Sequence, residues 1–193
     1  MKKFLEILGL LILLVGAVFL AKELSAQTAP GKVPEQSAEK LDVSALVAKE
    51  FGESYKMATD IAPIFADFDG DGKQDMAVVA TGDNPLMGEG SHNYKTLDPY
   101  HASFGYGNPK VTMAFNTSDK TARYILILHS WQAPLSKFVL VNVPFEKLRL
   151  GHMLKRKKAI DALEAVDVTG VQGAIYFDGK KYKWEIIGAE MDK

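Results

Sequence analysis

The chain has 193 residues, of which 47% are hydrophobic and 24% charged, as in an ordinary soluble globular domain with a short appendage. Its formal net charge of −1 leaves no global field to recruit nucleic acid or another polyanion. The sequence contains no cysteine, which excludes disulfides, thiol catalysis, zinc–thiolate sites and a lipid-modified cysteine behind a signal sequence.

Residues 1–26 have the layout of a signal peptide or an N-terminal membrane anchor. Lys2 and Lys3 precede the apolar run 7–21, whose length of about fifteen residues suits a secretory segment and is short for a full span. The cleavage site is weak, because Leu24 stands where a small residue is preferred. Whether residues 1–26 are cleaved off or retained, the domain that follows is expected to be extracytoplasmic, periplasmic or secreted. A retained leader would tether it to the membrane. A buried N-terminal helix of a cytosolic protein is the remaining alternative.

The next segments predict a linker and the start of a single domain. Residues 27–38 are polar with two prolines, which is typical of a linker, and the domain is expected over 39–193. Apolar residues recur at helical spacing over 43–51, with Asp42 as N-cap and Gly52 after the end. This pattern predicts a short amphipathic helix that packs on another element.

An aspartate-rich stretch follows, IFADFDGDGKQDMAVVA, residues 64–80. Five residues occupy positions 1, 3, 5, 7 and 9 of a loop: Asp67, Asp69, Asp71, Lys73 and Asp75. Alternate side chains of a tight loop converge on one point, the carbonyl at position 7 can join them, and Gly72 at position 6 permits the turn. So many oxygen ligands suit a hard cation, above all Ca²⁺, and without one the carboxylates would repel one another. The spacing therefore predicts a calcium site.

The loop is not an EF-hand, because position 12 is Val78 where the EF-hand has a bidentate glutamate, and the flanks are strand-like. Residues 65–82, FADFDGDGKQDMAVVATG, resemble the calcium loop of FG-GAP and VCBS-type repeats, which carry D-x-D-x-D-G-x-x-D between two strands. The resemblance implies calcium ligation by the four aspartates and the Lys73 carbonyl. The chain has one copy and is too short for the propeller that such repeats usually build, so the resemblance covers the loop alone.

Two other interpretations of the same stretch remain open. Residues 64–70 also resemble the first motif of haloacid-dehalogenase phosphatases, which would make Asp67 a nucleophile, Asp69 an acid/base and Mg²⁺ the cofactor. Those enzymes continue with threonine and a hydrophobic residue, whereas this chain continues with Asp71 and Gly72, and no parallel βαβ pattern follows. The second alternative is an acidic solvated turn without a metal.

Residues 82–109 contain five glycines and three prolines without a sustained period, which predicts a long functional loop. Its aromatic residues would form either a stacking surface for a glycan or peptide, or a lid folded over the sheet: Tyr94, Tyr100, Phe104 and Tyr106. His92 and His101 flank Asp98 in this segment, but their spacing is no metal signature.

The remaining elements are predicted strands. Residues 76–80 and 124–128 are apolar on both alternating faces, as in central strands. Further strands are predicted over 110–115 and 138–143, and a hairpin over 174–186 that turns at Asp178 and Gly179.

The segment 155–166 is ambiguous between helix and strand. Ile160, Leu163 and Val166 weakly favour a helix, although four basic residues at its start oppose the helix dipole. His129 and Ser130 are neighbours in a predicted strand, so they should face opposite sides and form no catalytic dyad.

Together these patterns predict an α+β domain on a mainly antiparallel sheet, with one or two short helices after the leader. The expected function is that of an exported calcium-binding, FG-GAP/VCBS-like domain with a binding or structural role and no catalytic residues. The alternatives are an exported enzyme with its site in the 82–109 loop, or a Mg²⁺-dependent haloacid-dehalogenase-like phosphatase. The expected partners are a glycan or peptide at that loop and the membrane through an uncleaved leader.

Overall fold

The computed structural model describes residues 41–112, 122–130, 136–155 and 158–189 of the protein, with the side chains of 111–112 left out. The predicted leader and linker lie outside these residues. No helix within the described ranges is long and apolar enough to span a lipid bilayer.

The first sheet has six strands and forms the centre of the domain. Its strands are β1 (Lys56–Met57), β2 (Ile64–Ala66), β3 (Asp75–Thr81), β4 (Lys95–Leu97), β5 (Arg123–His129) and β6 (Ser136–Leu140). Their order is β1-β3-β5-β6-β4, and β2 also pairs with β3. Every pairing is antiparallel except β4 with β6, which is parallel. The prediction of a mainly antiparallel sheet is therefore confirmed.

The second sheet is a four-stranded antiparallel meander in the order β10-β9-β8-β7. Its strands are β7 (Lys147–Lys155), β8 (Lys158–Val166), β9 (Val171–Phe177) and β10 (Tyr182–Ala189). The predicted hairpin is confirmed as β9 and β10, with the turn at Asp178 and at Gly179, whose φ is +93°.

The weakly favoured helix over 155–166 is wrong, because residues 158–166 form strand β8. This strand pairs along its length with β7 and also with β9, so its main-chain groups are satisfied by neighbouring strands. Leu163 and Ala165 alternate onto the inner face and are fully buried there. Two-sided burial in a sheet accounts for the apolar spacing that resembled a helix.

The helices are short and stand at the ends of strands or beside the central sheet. They are α1 (Val43–Phe51), α2 (Pro85–His92), α3 (Pro99–Ser103) and α4 (Pro109–Thr112). The prediction of α1 is confirmed, with the Asp42 carboxylate accepting the Ala45 N–H at 3.0 Å and Gly52 at φ +109°. The predicted strand over 110–115 is wrong for residues 110–112, which are helical after Pro109, and 113–115 lie outside the described residues.

Two hydrophobic clusters cover opposite faces of the central sheet, which explains why its middle strands are apolar on both sides. On one face Val47 and Phe51 of α1, together with Tyr94, pack on alternate residues of the central strands: Val78, Leu126 and Val139. On the other face the second sheet packs through Leu163, Ile175 and Trp184 on the intervening residues of the central strands: Ala77, Ile125 and Ile127. The domain thus has three layers, helix, sheet and sheet.

The expectation of one long loop over 82–109 is wrong, because this segment contains α2, β4 and α3. The side chains of Asn84 and Asp98 cap the two helices, and β4 joins the central sheet beside β6. Tyr94 is buried under α2, whereas Phe104 and Tyr106 remain 52% and 66% exposed. The segment is therefore a structured edge of the domain with two exposed aromatic rings.

Candidate metal centre

The aspartate loop connects β2 to β3 at one end of the central sheet. The register places Ala66 opposite Asp75, so the loop begins and ends at adjacent points of one antiparallel pair. Gly70 and Gly72 have φ values of +77° and +85°, a region that side chains other than glycine rarely adopt. The two glycines let the chain turn tightly enough to bring the aspartates together.

Asp67 is the centre of the loop's hydrogen bonding. Its Oδ1 accepts the N–H groups of Gly70 at 2.8 Å and Asp71 at 3.0 Å, and its Oδ2 accepts that of Gly72 at 2.9 Å. Its own N–H donates to the Oδ2 of Asp161 on β8, at 3.1 Å. The carboxylate orientation is therefore set by three main-chain donors.

Asp69 and Asp71 form successive turns of the same kind. The Oδ1 of each accepts an N–H two residues further on, from Asp71 at 3.0 Å and from Lys73 at 2.8 Å. The Oδ2 of Asp71 lies 3.4 Å from the Lys73 ammonium and accepts the Ser130 hydroxyl at 3.3 Å. The Lys73 N–H and its ammonium hold the pKa of Asp71 below its usual value.

The structure brings three of the predicted ligands together. One carboxylate oxygen each from Asp67, Asp69 and Asp71 lies within 4.8 Å of the other two. A cation at the centre of such a triangle would lie within about 2.8 Å of each oxygen, close to the 2.3–2.6 Å of Ca²⁺–oxygen bonds. Lys73, whose carbonyl is the fourth predicted ligand, meets Asp71 through its N–H and its ammonium.

Asp75 has different surroundings from the other three aspartates because it is fully buried. Its Oδ2 accepts the N–H groups of Phe68 at 2.8 Å and Asp69 at 3.3 Å, and its Oδ1 accepts that of Ser130 at 2.6 Å. The pKa of Asp75 is raised to about 6, chiefly by burial and also by the charge of Asp69, against the opposing effect of the N–H groups that its oxygens accept. Asp75 therefore joins the loop to the end of β5.

His129 is a residue of this site that the sequence reasoning missed. Its Nδ1 lies 3.2 Å from the Oδ2 of Asp69, and its Nε2 lies 2.7 Å from the hydroxyl of Tyr182. Burial lowers the pKa of His129, which favours a neutral ring with a single N–H. The arrangement consistent with both contacts has Nδ1–H donating to Asp69 and the Tyr182 O–H donating to Nε2.

The pairing of β3 with β5 explains how His129 reaches the loop. Met76 pairs with Leu128, so the residues just beyond them, Asp75 and His129, lie side by side at the loop end of the sheet. Ligand atoms of Asp69, Asp75 and His129 form a second group within 4.8 Å. The sequence showed only that His129 ends a predicted strand. The register between β3 and β5 was needed to place it beside the aspartate loop.

Ser130 also differs from the expectation of an alternating strand. The strand ends at His129, and Ser130 has a φ of +49°, so both residues reach the aspartate loop. The Ser130 hydroxyl contacts Asp71 and the His129 ring contacts Asp69, and the two side chains make no hydrogen bond to each other. They support the loop rather than acting on each other.

The two histidines of the 82–109 segment, His92 and His101, lie apart from the aspartate loop and from each other. Asp98 is buried and its Oδ2 contacts the Nδ1 of His101 at 2.9 Å and the Asn142 amide at 2.6 Å. His92 instead packs against Gly52, at the end of α1. Neither histidine belongs to a group with metal-ligand spacing among the described residues.

Comparison with known proteins provides no relative from which to transfer a role. No protein-family model matches the chain, and neither curated protein sequences nor solved structures include a match.

Proposed function

We propose that the protein is an exported calcium-binding domain in which one Ca²⁺ binds the loop between β2 and β3. The observation that carries this proposal is the triangle of oxygens from Asp67, Asp69 and Asp71, held within 4.8 Å by main-chain N–H donors. Charge repulsion among these groups is unfavourable without a cation, and their prior orientation lowers the cost of binding one. The Lys73 carbonyl and Asp75 complete the proposed ligand set.

The loop geometry favours calcium binding over the phosphatase alternative. The chain returns at once into the antiparallel strand β3, while the phosphatase motif requires a following parallel βαβ unit. Ca²⁺ fits the oxygen ligands, and Mg²⁺ would fit poorly because it demands tighter octahedral geometry.

The biological role proposed for this site is binding or structural. The ion would hold the β2–β3 loop against the end of β5, as in the FG-GAP and VCBS-type loops that residues 65–82 resemble. Residues 1–26 would export the domain and, if uncleaved, anchor it to the membrane, since their charges are typical of an export signal. An extracytoplasmic location suits a calcium site of moderate affinity, and a glycan or peptide ligand is proposed at 82–109.

Thermal unfolding in Ca²⁺, Mg²⁺ and chelator tests the metal site. With a dissociation constant of ~10⁻⁵ M and external calcium of ~1 mM, binding would stabilise the fold by about 2.7 kcal/mol. This corresponds to a rise in Tm of roughly 5–10 °C for a domain of this size. Mg²⁺ at the same concentration should give a much smaller rise.

Two matched variants make the test specific. Asp71→Asn removes a proposed ligand charge and should abolish the calcium-dependent rise in Tm. Asp167→Asn is the control, because Asp167 likewise accepts the N–H two residues on, from Thr169 at 2.8 Å, in the turn between β8 and β9. This control should keep the full calcium response. A calcium response that survives in Asp71→Asn, or a larger response to Mg²⁺ than to Ca²⁺, would contradict the proposal.

A further inference from the structure

Two aspartates of the loop are held by residues of the second sheet. The Asp67 N–H donates to the Oδ2 of Asp161 on β8, at 3.1 Å. Asp69 is reached from β10 through His129, whose Nδ1 lies 3.2 Å from the Asp69 Oδ2 and whose Nε2 lies 2.7 Å from the Tyr182 hydroxyl. The aspartate loop joins two strands of the central sheet, so both links cross from one sheet to the other.

The His129 ring is packed among aromatic side chains from both sheets. The ring centroids of Phe138 on β6 and Phe177 on β9 lie 5.1 Å and 4.8 Å from that of His129. The Tyr182 ring in turn lies 5.4 Å from the Phe138 ring and 5.3 Å from the Phe177 ring. His129, Phe138 and Tyr182 are all buried. Such close packing restricts rotation of the imidazole, so its two nitrogens keep their directions.

One position of the ring proton satisfies both contacts of His129. A neutral imidazole has one N–H and one lone pair. With the proton on Nε2, the lone pair of Nδ1 would face the Asp69 carboxylate, and the two would repel each other. With the proton on Nδ1, the ring donates to Asp69 and its Nε2 accepts the O–H of Tyr182. The Tyr182 hydroxyl therefore favours the tautomer that donates to Asp69.

The orientation of Asp69 matters for metal binding because both groups of potential ligand atoms at this end of the sheet include it. One group is completed by Asp67 and Asp71, the other by Asp75 and His129. The Oδ1 of Asp69 accepts the Asp71 N–H at 3.0 Å, while its Oδ2 contacts His129. A carboxylate held at both oxygens loses little freedom when it binds an ion. Outer residues that orient a metal ligand typically change metal affinity ~10–100-fold.

We propose that Tyr182, acting through His129, is a positioning residue of the calcium site, so that calcium affinity depends on the second sheet. Tyr182 fixes the tautomer of His129, and His129 fixes the direction of the Asp69 carboxylate. The inference rests on the proposed calcium function and adds that both sheets assemble the site. Because coupling between two equilibria is reciprocal, bound calcium also stabilises the packing of β10 on the central sheet.

NMR of the full chain, labelled at the histidine ring nitrogens, tests the tautomer without any metal. In the calcium-free wild type His129 should carry its proton on Nδ1, as a slowly exchanging ring N–H. This signal should broaden or disappear in Tyr182→Phe and persist in Tyr55→Phe. Tyr55 is the matched control, because it is also buried, packs on the opposite face of the central sheet and contacts the Tyr94 hydroxyl at 3.2 Å. A proton on Nε2 in the wild type, or an unchanged signal in Tyr182→Phe, would overturn the inference.

Calorimetric titration of the folded proteins with Ca²⁺ then measures the affinity. Tyr182→Phe should raise the dissociation constant ~10-fold, whereas Tyr55→Phe should leave it within ~2-fold of the wild type. Both variants remove a buried hydroxyl and should lower the unfolding free energy, so a merely structural role of Tyr182 would lower stability without changing the dissociation constant. Equal affinities of wild type and Tyr182→Phe would refute the positioning role alone. Failure of the wild type to bind Ca²⁺ would refute the proposed function and this inference together.

Discussion

Burial of Asp75 predicts that the calcium-free protein loses stability as the pH rises. The pKa of this carboxyl is raised by burial from 3.8 to about 6 in the folded protein. The folded state thus retains a proton over a range in which the unfolded state has released it. The stabilisation is present in full below about pH 3.8 and is lost as the pH rises through about 6. A shift of about two units corresponds to roughly 3 kcal/mol.

The assay is urea unfolding of the chelated protein at several pH values, compared with Asp75→Asn. The variant cannot ionise, so the difference in unfolding free energy between wild type and variant should change by roughly 2–2.5 kcal/mol between pH 4 and pH 7. Saturating Ca²⁺ should reduce the loss of unfolding free energy that the wild type shows as the pH rises, because the ion favours the ionised carboxylate. A difference that stays constant within ~0.5 kcal/mol across this range would refute the reasoning about burial.

Four further predictions concern packing, the buried Asp98 and export. Gly173→Ala should lower the unfolding free energy in urea by about 1–3 kcal/mol or more, because its Cβ would lie 1.9 Å from the Trp184 ring; an unchanged midpoint would contradict this packing. Gly90→Ala, inside α2 with open space at the Cβ, should raise the same free energy by ~0.5–1 kcal/mol, and a loss would argue against a stable helix there. Asp98→Ala should cost about 2–4 kcal/mol, measured in the same way, because its partners lose a buried acceptor; a cost below ~0.5 kcal/mol would mean that water replaces it. Protease treatment of intact spheroplasts should digest the domain beyond residues 1–26, and full protection would contradict export.

Elements with strong local signals were predictable from the sequence. Helix α1 has its cap, its spacing and its terminal glycine within eleven residues, Asp42 to Gly52. The hairpin of β9 and β10 follows from Asp178 and Gly179 between two aromatic runs. The convergence of Asp67, Asp69 and Asp71 is local too, since hydrogen bonds between residues two to five apart shape the loop.

The errors concern segments whose structure depends on distant partners. The apolar residues of β8 fit helical and strand spacing alike, and only β7 and β9 on either side decide for the strand. The segment 82–109 looked like a loop because its parallel pairing, β4 with β6, joins residues about forty positions apart, and such pairing leaves no local pattern.

The sequence by itself determined the spacing of the acidic loop, the short helix before it and the two-sided apolar strands, because these depend on turns and periodicity within a few residues. Tertiary structure decided what surrounds the loop: Asp75 is buried beneath it, His129 contacts Asp69, and Asp161 holds its first residue from another sheet. The contacts of the loop with Ser130, His129 and Asp161 join residues 55 to 94 positions apart. Their geometry is set by strand register and sheet packing, in which a shift of one residue would turn each side chain to the opposite face.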